Sequence, residues 1–542
     1  MNPLHHNSSI VVATDILFEI RSGVSIFQKL SLSLDKEKTG LVGDNGSGKT
    51  TLLRLLTGEL EPTKGTIQRN AEIAYLPQDY QVNLEQTVSE ALGVKEKIEA
   101  LKKIKGGTQD NELLKTIDED WDIEKRIADI FAQLKIGELN KNRLVGTLSG
   151  GERTKIVLAR LLISRPKFII LDEPTNNLDV DSREIIYELI KNWKHGLLVV
   201  SHDRNLLNLL DQIVELSNRK LKIYGGNYDL YKEQKELEEQ AANRQLVTAK
   251  QDFKKIKKQA EKTKEKQQKK SSHGKKSRSK IGMPKSLLNK MRATSEKTTS
   301  RLDKVHEKRI EEATESLEEA KSKISPENRI EIELTGTRVP TDKLVVEIKN
   351  IDFAYDDKKP LFQNFSLSLH GPVRLALNGP NGSGKTTLVK LLQKELTPAC
   401  GTISLGIDTF AYLDQGVSIL QRDKTLLENF KRISELDDNS ARKWLARFLF
   451  RGEDAFKKID VLSGGERMRA ALVCTLARDT PPRLLILDEP TNNLDLNSIE
   501  QIESALLHYE GALIVISHDK NFLQNIGTKE EINLLPNFSP SR

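Results

Sequence analysis

The feature that most constrains this sequence is an internal repeat, in which five motifs recur in the same order at spacings of about 314 to 336 residues. The pairs are IFQKLSLSL at 26–34 and LFQNFSLSL at 361–369, GDNGSGKTTL at 43–52 and GPNGSGKTTL at 379–388, LSGGER at 148–153 and 462–467, LDEPTNNLD at 171–179 and 487–495, and SHD at 201–203 and 517–519. Solenoid repeats have periods of about 20–50 residues. The sequence therefore contains a duplicated domain of roughly 200 residues.

Short apolar runs alternate with helix-forming segments in both halves. Such runs are typical of buried parallel strands, and their alternation with helices predicts an α/β fold with a mainly parallel core sheet. The predicted strands are Thr39–Val42, Phe168–Leu171, Leu197–Val200, Arg374–Leu377, Leu484–Leu487 and Leu513–Ile516, and the helices that follow the glycine loops are Thr50–Thr57 and Thr386–Gln393.

Each half contains a phosphate-binding loop of the form G-x-x-x-x-G-K-T, between a strand and a helix. Glycines let successive backbone N–H groups turn toward phosphate oxygens, and the helix N-terminus adds partial positive charge. Lys49 and Lys385 should reach the β- and γ-phosphates, while Thr50 and Thr386 should ligate Mg²⁺. A simple glycine-rich turn explains one match poorly and two matches not at all. The predicted phosphate-binding residues are Gly43, Asp44, Asn45, Gly46, Ser47, Gly48, Lys49, Thr50 and Thr51, and Gly379, Pro380, Asn381, Gly382, Ser383, Gly384, Lys385, Thr386 and Thr387.

A pair of acidic residues ends an apolar strand in each half. Asp172 and Asp488 are predicted to hold Mg²⁺, directly or through water. Glu173 and Glu489 follow them and are predicted to polarise the attacking water as general bases. A charged pair at a strand end is the alternative, but the same Pro-Thr-Asn-Asn-Leu-Asp segment follows both pairs.

The LSGGE loops resemble those of the ATP-binding-cassette superfamily. The matching residues are Ser149, Gly150, Gly151 and Glu152 in the first half, and Ser463, Gly464, Gly465 and Glu466 in the second. The resemblance implies that each loop caps the γ-phosphate bound by the opposite domain. Lys49 and Ser463 would then share one nucleotide, and Lys385 and Ser149 the other.

The same resemblance assigns further site residues. His202 and His518 match the histidine that senses the γ-phosphate, although a histidine after a strand is often structural. Gln78 and Gln415 match the glutamine that the superfamily places beside nucleotide and metal. Tyr355 stands where an aromatic ring usually stacks on adenine, and the repeat places Ile20 at that position in the first half. The first site could therefore hold its base differently.

An insertion distinguishes the first half from the second. About 23 extra residues lie near Val94–Trp121. The pattern predicts a helix over Lys95–Lys105, a turn at Gly106 and Gly107, and a second helix over Glu112–Ile117. We interpret the insertion as a small helical arm, with a solvated surface decoration as the alternative.

A linker of roughly 110 residues joins the two halves. Tyr231–Lys270 and Lys285–Ile324 are free of glycine and proline, which predicts two helices of about 40 residues, each about 60 Å long. Ser271–Met283 is the predicted turn, and Pro284 the predicted first residue of the second helix. Apolar residues at coiled-coil spacing near the end of that helix are Ala313, Leu317, Ala320 and Ile324.

The linker holds the basic excess of the chain. Residues 250–310 contain 22 Lys or Arg and 6 Asp or Glu, a net charge of +16, so the rest of the chain carries −9 of the overall +7. The predicted tip is basic at Lys275, Lys276, Arg278, Lys280, Lys285, Lys290 and Arg292. A solvated charged surface is the alternative, but this imbalance favours contact with phosphates. No aromatic residue lies between Ser271 and Arg309, so contacts with the shape and backbone of folded RNA fit better than base stacking.

The combination of tandem cassettes, an insertion in the first, and a long basic helical linker resembles the ABC-F family over nearly the whole chain. The resemblance implies an ATPase that requires ATP and Mg²⁺ and acts on the ribosome, where its linker approaches rRNA and the P-site tRNA. Some members of the family are translation factors, and others confer antibiotic resistance. The implied domains are a first cassette at 8–230 with its arm at 94–121, a linker at 231–340 and a second cassette at 341–535. The implied protein is a monomer with intramolecular cassette pairing.

Two other functional classes remain as alternatives. One is an ATP-binding subunit that energises a separate membrane transporter, and the other is a DNA-repair or chromosome ATPase. The first has no use for a long basic linker, and the second usually has zinc cysteines or longer coiled coils. The sequence has no apolar run of about 18 residues and no basic segment followed by an apolar core at its start. It has two cysteines, which fits a reducing compartment. From these features we expect a soluble cytoplasmic protein without a membrane partner.

Overall fold

The computed structural model describes most of the chain. The described residues are 9–20, 23, 25–78, 80, 83–108, 110–118, 120–137, 139–176, 178–278, 285–322, 330, 334–355, 360–380 and 382–534. They divide into two compact units. One unit contains both halves of the repeat, and the other contains the helices between them.

The first half contains nine described strands. They are β1 (Val11–Glu19), β2 (Ser25–Leu34), β3 (Lys38–Val42), β4 (Lys64–Arg69), β5 (Ile73–Leu76), β6 (Phe168–Asp172), β7 (Gly196–Val200), β8 (Gln212–Ser217) and β9 (Lys220–Gly225). An antiparallel sheet has the order β2-β1-β4, and a second sheet has the order β5-β6-β7-β3-β8-β9. The second sheet is parallel except for the β8–β9 pair, as the buried apolar runs predict.

The register of the core sheet brings three strand ends to one level. Asp172 at the end of β6 pairs with Val200 at the end of β7, and Val200 also pairs with Leu41 of β3. Ligand sites of open α/β sheets lie beyond the carboxyl ends of the strands. The phosphate-binding loop, the acidic pair and the histidine therefore emerge side by side.

The described helices of the first half include the predicted arm. The helices are α1 (Lys49–Thr57), α2 (Val88–Ala91), α3 (Lys95–Lys105), α4 (Asn111–Ile117), α5 (Ile123–Gln133), α6 (Gly150–Ile163), α7 (Val180–Asn192) and α8 (Arg204–Leu207). In the arm, Asp110 caps α4 by accepting a hydrogen bond from Glu112 N, and the two arm helices contact each other, with Ile98, Leu101 and Ile117 buried.

Between the two halves lie two long helices, α9 (Tyr228–Arg278) and α10 (Lys285–Ser322). At 1.5 Å per residue they measure about 75 Å and 57 Å. They pack side by side, since Ala249 and Ile256 of α9 line one shallow cleft with Ala313 and Ser316 of α10.

The turn predicted over Ser271–Met283 starts too early, because its first eight residues belong to helix α9. Helix α9 continues through Ser271 and Gly274 to Arg278, because lysines favour helix and one glycine costs only about 1 kcal/mol. Lys280, Pro284 and Ile324 lie outside the described residues, as do the side chains of the other tip residues. Of the predicted coiled-coil residues, Ala320 is buried and Leu317 half-buried. Burial of these residues alone does not establish a coiled coil, which therefore stays a prediction.

The second half repeats the fold without the arm. Its strands are β10 (Leu344–Phe353), β11 (Phe362–His370), β12 (Arg374–Asn378), β13 (Cys400–Leu405), β14 (Phe410–Leu413), β15 (Leu484–Asp488), β16 (Ala512–Ile516) and β17 (Glu530–Asn533). Its helices are α11 (Lys385–Leu392), α12 (Leu426–Ser434), α13 (Asp438–Arg447), α14 (Gly464–Leu476), α15 (Leu496–Leu507) and α16 (Lys520–Asn525). The sheets have the orders β11-β10-β13 and β14-β15-β16-β12-β17, so the duplication predicted from sequence is confirmed.

Candidate functional site

The first phosphate-binding loop wraps around its own lysine. Helix α1 begins at Lys49, and Gly48 before it has φ 102°, a conformation that L side chains rarely adopt. A Cβ atom on Gly48 would lie 2.9 Å from Ile26 and 3.0 Å from Phe27, so the glycine is also required by close packing. Lys49 Nζ donates to the carbonyl oxygens of Gly43 at 2.7 Å and Asp44 at 3.1 Å. Burial lowers the pKa of Lys49.

The second loop has the same geometry. Lys385 Nζ donates to the carbonyl oxygens of Gly379 at 2.6 Å and Pro380 at 3.1 Å, and Gly384 has φ 100°. Asn381 lies outside the described residues. Burial also lowers the pKa of Lys385. Two loops of identical construction therefore each present one lysine at a helix N-terminus.

The predicted metal ligands lie next to each other in both halves. Thr50 Oγ1 donates to Asp172 Oδ2 at 3.1 Å, and Thr386 Oγ1 to Asp488 Oδ2 at 3.4 Å. In the second half, Tyr412 OH also donates to Asp488 Oδ2, at 3.0 Å. A hydroxyl and a carboxylate suit Mg²⁺, which commonly binds one or two protein carboxylates together with substrate phosphates.

Each predicted general base lies against the predicted sensor histidine. Glu173 Oε1 is 3.1 Å from His202 Nε2, and Glu489 Oε1 is 3.3 Å from His518 Nε2. Both glutamates have positive φ, 51° and 47°, in the sparsely populated left-handed region that concentrates at functional sites. Burial raises the pKa of both carboxyl groups and lowers the pKa of both imidazoles. Burial therefore disfavours the charged form of both histidines.

Several buried polar atoms at these sites have no hydrogen-bond partner among the residues that the structure describes. They are Ser47 Oγ, Glu173 Oε1 and His202 Nδ1 in the first half, and Ser383 Oγ, Glu489 Oε2 and His518 Nδ1 in the second. An unsatisfied buried polar atom costs about 1–3 kcal/mol. Both sites thus have unused hydrogen-bonding capacity beside a lysine and a helix N-terminus, which suits a bound phosphate group and its metal.

The LSGGE loops start helices. Ser149 caps α6, accepting from Glu152 N at 3.3 Å while its own N–H donates to Glu152 Oε2 at 2.7 Å. Ser463 and Glu466 form the same capping box at the start of α14. The geometry assigns the two glutamates to the helix cap, whereas the serines and glycines leave a helix N-terminus open to an anion.

The two halves pack head to tail. Asn45 N, in the first phosphate-binding loop, donates to Asp495 Oδ2 at 2.7 Å, and Asn45 Nδ2 donates to Asn493 O at 3.2 Å. A Cβ atom on Gly464 would lie 3.3 Å from the same Asn493 oxygen. The start of the second LSGGE helix is therefore next to the first phosphate-binding loop.

Two further contacts cross between the halves. Asn205 and Asn521, which are counterparts in the repeat, are joined by a hydrogen bond from Asn521 Nδ2 to Asn205 Oδ1 at 3.0 Å. Arg204 Nη1 and Nη2 donate to Glu503 Oε1 and Oε2 at 2.7 Å and 3.3 Å, and both side chains are buried. The second contact is not symmetric, because the counterparts of Arg204 and Glu503 are Lys520 and Tyr187.

The remaining predicted residues are more peripheral. Gln78 and Gln415 are exposed and follow β5 and β14. Tyr355 is 42% exposed, and its hydroxyl is 3.2 Å from Thr387 Oγ1 of the second phosphate-binding loop. Its counterpart Ile20 is 43% exposed and follows the end of β1. Whether the two sites hold the base differently at this position stays a prediction.

Sequence reasoning missed the residues that join the halves. Asn493 and Asp495 belong to an Asn-Asn-Leu-Asp segment that is identical in both halves, and this identity was a usable signal. Arg204 and Glu503 gave no such signal, because neither is repeated.

Comparison with known proteins identifies the same two halves. The family model described as "ABC transporter" matches residues 27–176 and 362–492, once in each half. The chain is 31% identical to "ABC transporter F family member 5" of Arabidopsis thaliana over 95% of this chain and 72% of that protein. The chain belongs to the ABC-F family. It is also 31% identical to "ATP-binding protein Uup" of Escherichia coli over 91% of this chain and 75% of that protein.

A solved structure resembles this ABC-F protein across both cassettes. It is an archaeal ribosome recycling factor in complex with a ribosomal stalk protein, with a TM-score of 0.59 and 20% identity over 96% of this chain and 87% of that chain. At this identity the likeness shows the fold alone. The family and the two cassettes make the chain an ATP-binding ATPase. Within the described part of the chain, no helix is both long and apolar enough to span a membrane.

Proposed function

We propose that this ATPase acts on the ribosome as a translation factor, with its basic helical linker in contact with rRNA and the P-site tRNA. The observation that supports this most strongly is the net charge of +16 over residues 250–310, a stretch that belongs mostly to α9 and α10, in a chain that is otherwise acidic. Such a charge imbalance favours a polyanionic partner. A structural relative is named as a ribosome recycling factor, and we extend a ribosomal site of action to this chain.

The proposed domains separate the ATP-binding cassettes from the linker that contacts RNA. Residues 8–230 form the first cassette, with its arm at 94–121, residues 231–340 the linker, and residues 341–535 the second cassette. The cassettes pair within one monomer, and a ribosomal site of action makes the protein cytoplasmic.

Each proposed ATP site combines both cassettes. At the first site, Lys49 binds the β- and γ-phosphates, and Ser463 with the start of α14 binds the γ-phosphate from the other side. At the second site, Lys385 and Ser149 have these roles. The contacts of Asn45 with Asn493 and Asp495 support this arrangement, since they hold the second cassette against the first phosphate-binding loop.

The proposed hydrolytic groups are the buried glutamates. Mg²⁺ would neutralise charge on the phosphates and would be held by Thr50 and Asp172 or by Thr386 and Asp488, with Gln78 and Gln415 nearby. Glu173 and Glu489 orient and deprotonate the attacking water, and their raised pKa suits proton uptake near neutral pH. His202 and His518 lie beside the glutamates, and each donates its one N–H to the γ-phosphate.

The experiment that tests ribosomal action is co-sedimentation with ribosomes across a salt series. A variant with Lys275, Lys276, Arg278 and Lys280 changed to alanine should bind more weakly and show a shallower dependence on salt, because each lost phosphate contact reduces counterion release. Its ATPase activity without ribosomes should stay unchanged, because none of the four residues belongs to either proposed ATP site.

A matched variant controls for net charge alone. It changes four exposed lysines of the first cassette to alanine: Lys64, Lys167, Lys194 and Lys220. If both variants lose ribosome binding equally, or neither does, the linker does not provide the contact.

Recovery with membranes rather than ribosomes would favour the transporter alternative. Drug susceptibility with and without the gene then separates antibiotic protection from a general translation role.

A further inference from the structure

In the first cassette, a tyrosine hydroxyl connects the segment after β5 to the first turn of the LSGGE helix. Tyr80 lies two residues after Gln78, and its hydroxyl oxygen is 2.5 Å from Thr154 Oγ1 of α6. Thr154 Oγ1 in turn donates to Gly150 O at 3.2 Å. A hydroxyl has one hydrogen to donate, so Tyr80 OH is the donor to Thr154. The two hydrogen bonds form a directed chain from Tyr80 to the LSGGE glycine Gly150.

The groups around this chain are closely packed. Thr154 is 6% exposed and Tyr80 is half-buried. Helix α6 packs against β5, the strand that leads to Gln78. On another side, the first turn of α6 lies close to α7, since a Cβ atom on Gly151 would be 2.8 Å from Ser182 Oγ. The start of α6 therefore has close neighbours on two sides, and one of them is the Tyr80 hydroxyl.

The second cassette has no equivalent of this chain at the matching positions. The repeat places Val417 at the position of Tyr80 and Met468 at that of Thr154. These two side chains are 7% and 3% exposed and belong to one apolar core. A valine side chain has no hydrogen-bonding atom, so only nondirectional packing is available there. The hydrogen-bonded connection is therefore a property of the first cassette.

The chain connects residues of two different proposed ATP sites. Gln78 belongs to the first site, whereas Ser149 and Gly150 belong to the second, together with Lys385. A hydrogen bond has a preferred distance and angle, so it fixes the start of α6 relative to the segment after β5 more strictly than apolar packing does.

We propose that Tyr80 is a positioning residue that acts through Thr154 to place the first LSGGE loop. The proposal rests on the head-to-tail sites proposed above, in which that loop binds the γ-phosphate of the nucleotide held by Lys385. The loop meets the phosphate only after the cassettes close. A misplaced loop should therefore slow the chemical step at the second site more than it weakens the initial binding of ATP.

The test uses full-length variants in which one site hydrolyses. Glu173→Gln should leave turnover to the second site, and Glu489→Gln to the first. Adding Tyr80→Phe, which removes only the hydroxyl, should lower kcat about 3- to 10-fold in the Glu173→Gln background, with KM changed less than about twofold. In the Glu489→Gln background kcat should change less than about twofold, because the LSGGE loop of that site belongs to the second cassette.

A double-mutant cycle tests the link between Tyr80 and Thr154. Thr154→Val removes the accepting hydroxyl and should lower kcat at least as much as Tyr80→Phe. The two changes together should lower kcat no further than Thr154→Val alone, since the shared hydrogen bond is already lost. Thr154→Ser keeps the hydroxyl and should retain most of kcat. The matched control is Thr116→Val in the arm helix α4, where Thr116 Oγ1 donates to Glu112 O at 2.9 Å, and it should leave both constants unchanged.

Three results would overturn the proposal. Equal losses of kcat in both backgrounds, with a lowered Tm, would show a general structural role. Unchanged kcat, or additive losses in the cycle, would show that the hydrogen bond does not position the loop. The hydrolytic roles are tested separately by the double variant Glu173→Gln with Glu489→Gln. If that variant keeps near-normal turnover those roles fail, and the same cycle measured on the wild-type ATPase activity still tests the link from Tyr80 to Thr154.

Discussion

The buried ion pair between Arg204 and Glu503 should control how readily the cassettes close. The pair spans the cassette interface, its two hydrogen bonds measure 2.7 Å and 3.3 Å, and the side chains are 5% and 9% exposed. Asn525 Nδ2 donates to Glu503 Oε1 as well, at 3.0 Å. Glu503→Gln would leave the Arg204 charge buried without its counter-ion in the closed state, whereas the open state can solvate it.

The expected magnitude follows from the cost of such a charge. Removing one partner of a buried pair costs about 3–5 kcal/mol, and each 1.4 kcal/mol changes an equilibrium tenfold. The ratio of closed to open form should therefore fall about 10²- to 4 × 10³-fold, and half-maximal closure should need correspondingly more ATP. Because the penalty falls on the interface, the folding of each cassette should be little affected.

Closure can be measured by crosslinking across the interface. Cysteines replacing Asn205 and Asn521, whose side chains are hydrogen-bonded at 3.0 Å, can be joined by a short bismaleimide when the cassettes close. Exposed Cys400 is first changed to serine. The yield of crosslinked protein against ATP concentration then reports closure for wild type and Glu503→Gln.

Two controls make this prediction refutable. Changing Arg204 to Met together with Glu503 to Leu removes both charges and should restore most of the closure, because apolar replacement of a buried pair is often nearly neutral. Glu188→Gln breaks a pair with Lys135 whose side chains are more than half exposed, and should change closure by less than about 1 kcal/mol. If Glu503→Gln closes like wild type, or the double variant is as impaired as the single one, the pair does not govern closure.

Three further predictions concern the ATP sites. Changing Glu173 and Glu489 to Gln together should leave ATP binding intact and reduce phosphate release about 10²- to 10⁴-fold, with the protein retained on ribosomes; near-normal turnover would contradict their role as general bases. Ser149→Arg and Ser463→Arg should each impair nucleotide occlusion at the phosphate-binding loop of the opposite cassette, and impairment of the loop in the same cassette would contradict the head-to-tail sites. Gly48→Ala should cost about 1–3 kcal/mol in a melting experiment and weaken ATP binding, because its φ of 102° is strained for alanine and a Cβ would meet Phe27 at 3.0 Å; an unchanged Tm would refute this.

Many strands, helices and site residues of this protein could be predicted from local sequence patterns. The strands and helices around Lys49 and Lys385 lie within one or two residues of their predicted bounds, because a short apolar run, a glycine loop and a helix start specify one local geometry. The motifs also assigned Asp172 and Thr50 to one Mg²⁺ site, and the two side chains are hydrogen-bonded in the structure. The end of α9 was placed wrongly, because helix boundaries depend on small propensity differences that a single glycine such as Gly274 does not reverse.

The contacts between the cassettes were decided only by the tertiary structure. Arg204 and Glu503 are 299 positions apart, and no periodicity or motif relates them. Arg204 and Glu503 meet because the two cassettes pack against each other, so that each residue contacts side chains of the other cassette and not its own counterpart. The sequence by itself determined two nucleotide-binding cassettes, and packing between them determined which residues of one cassette contact the other.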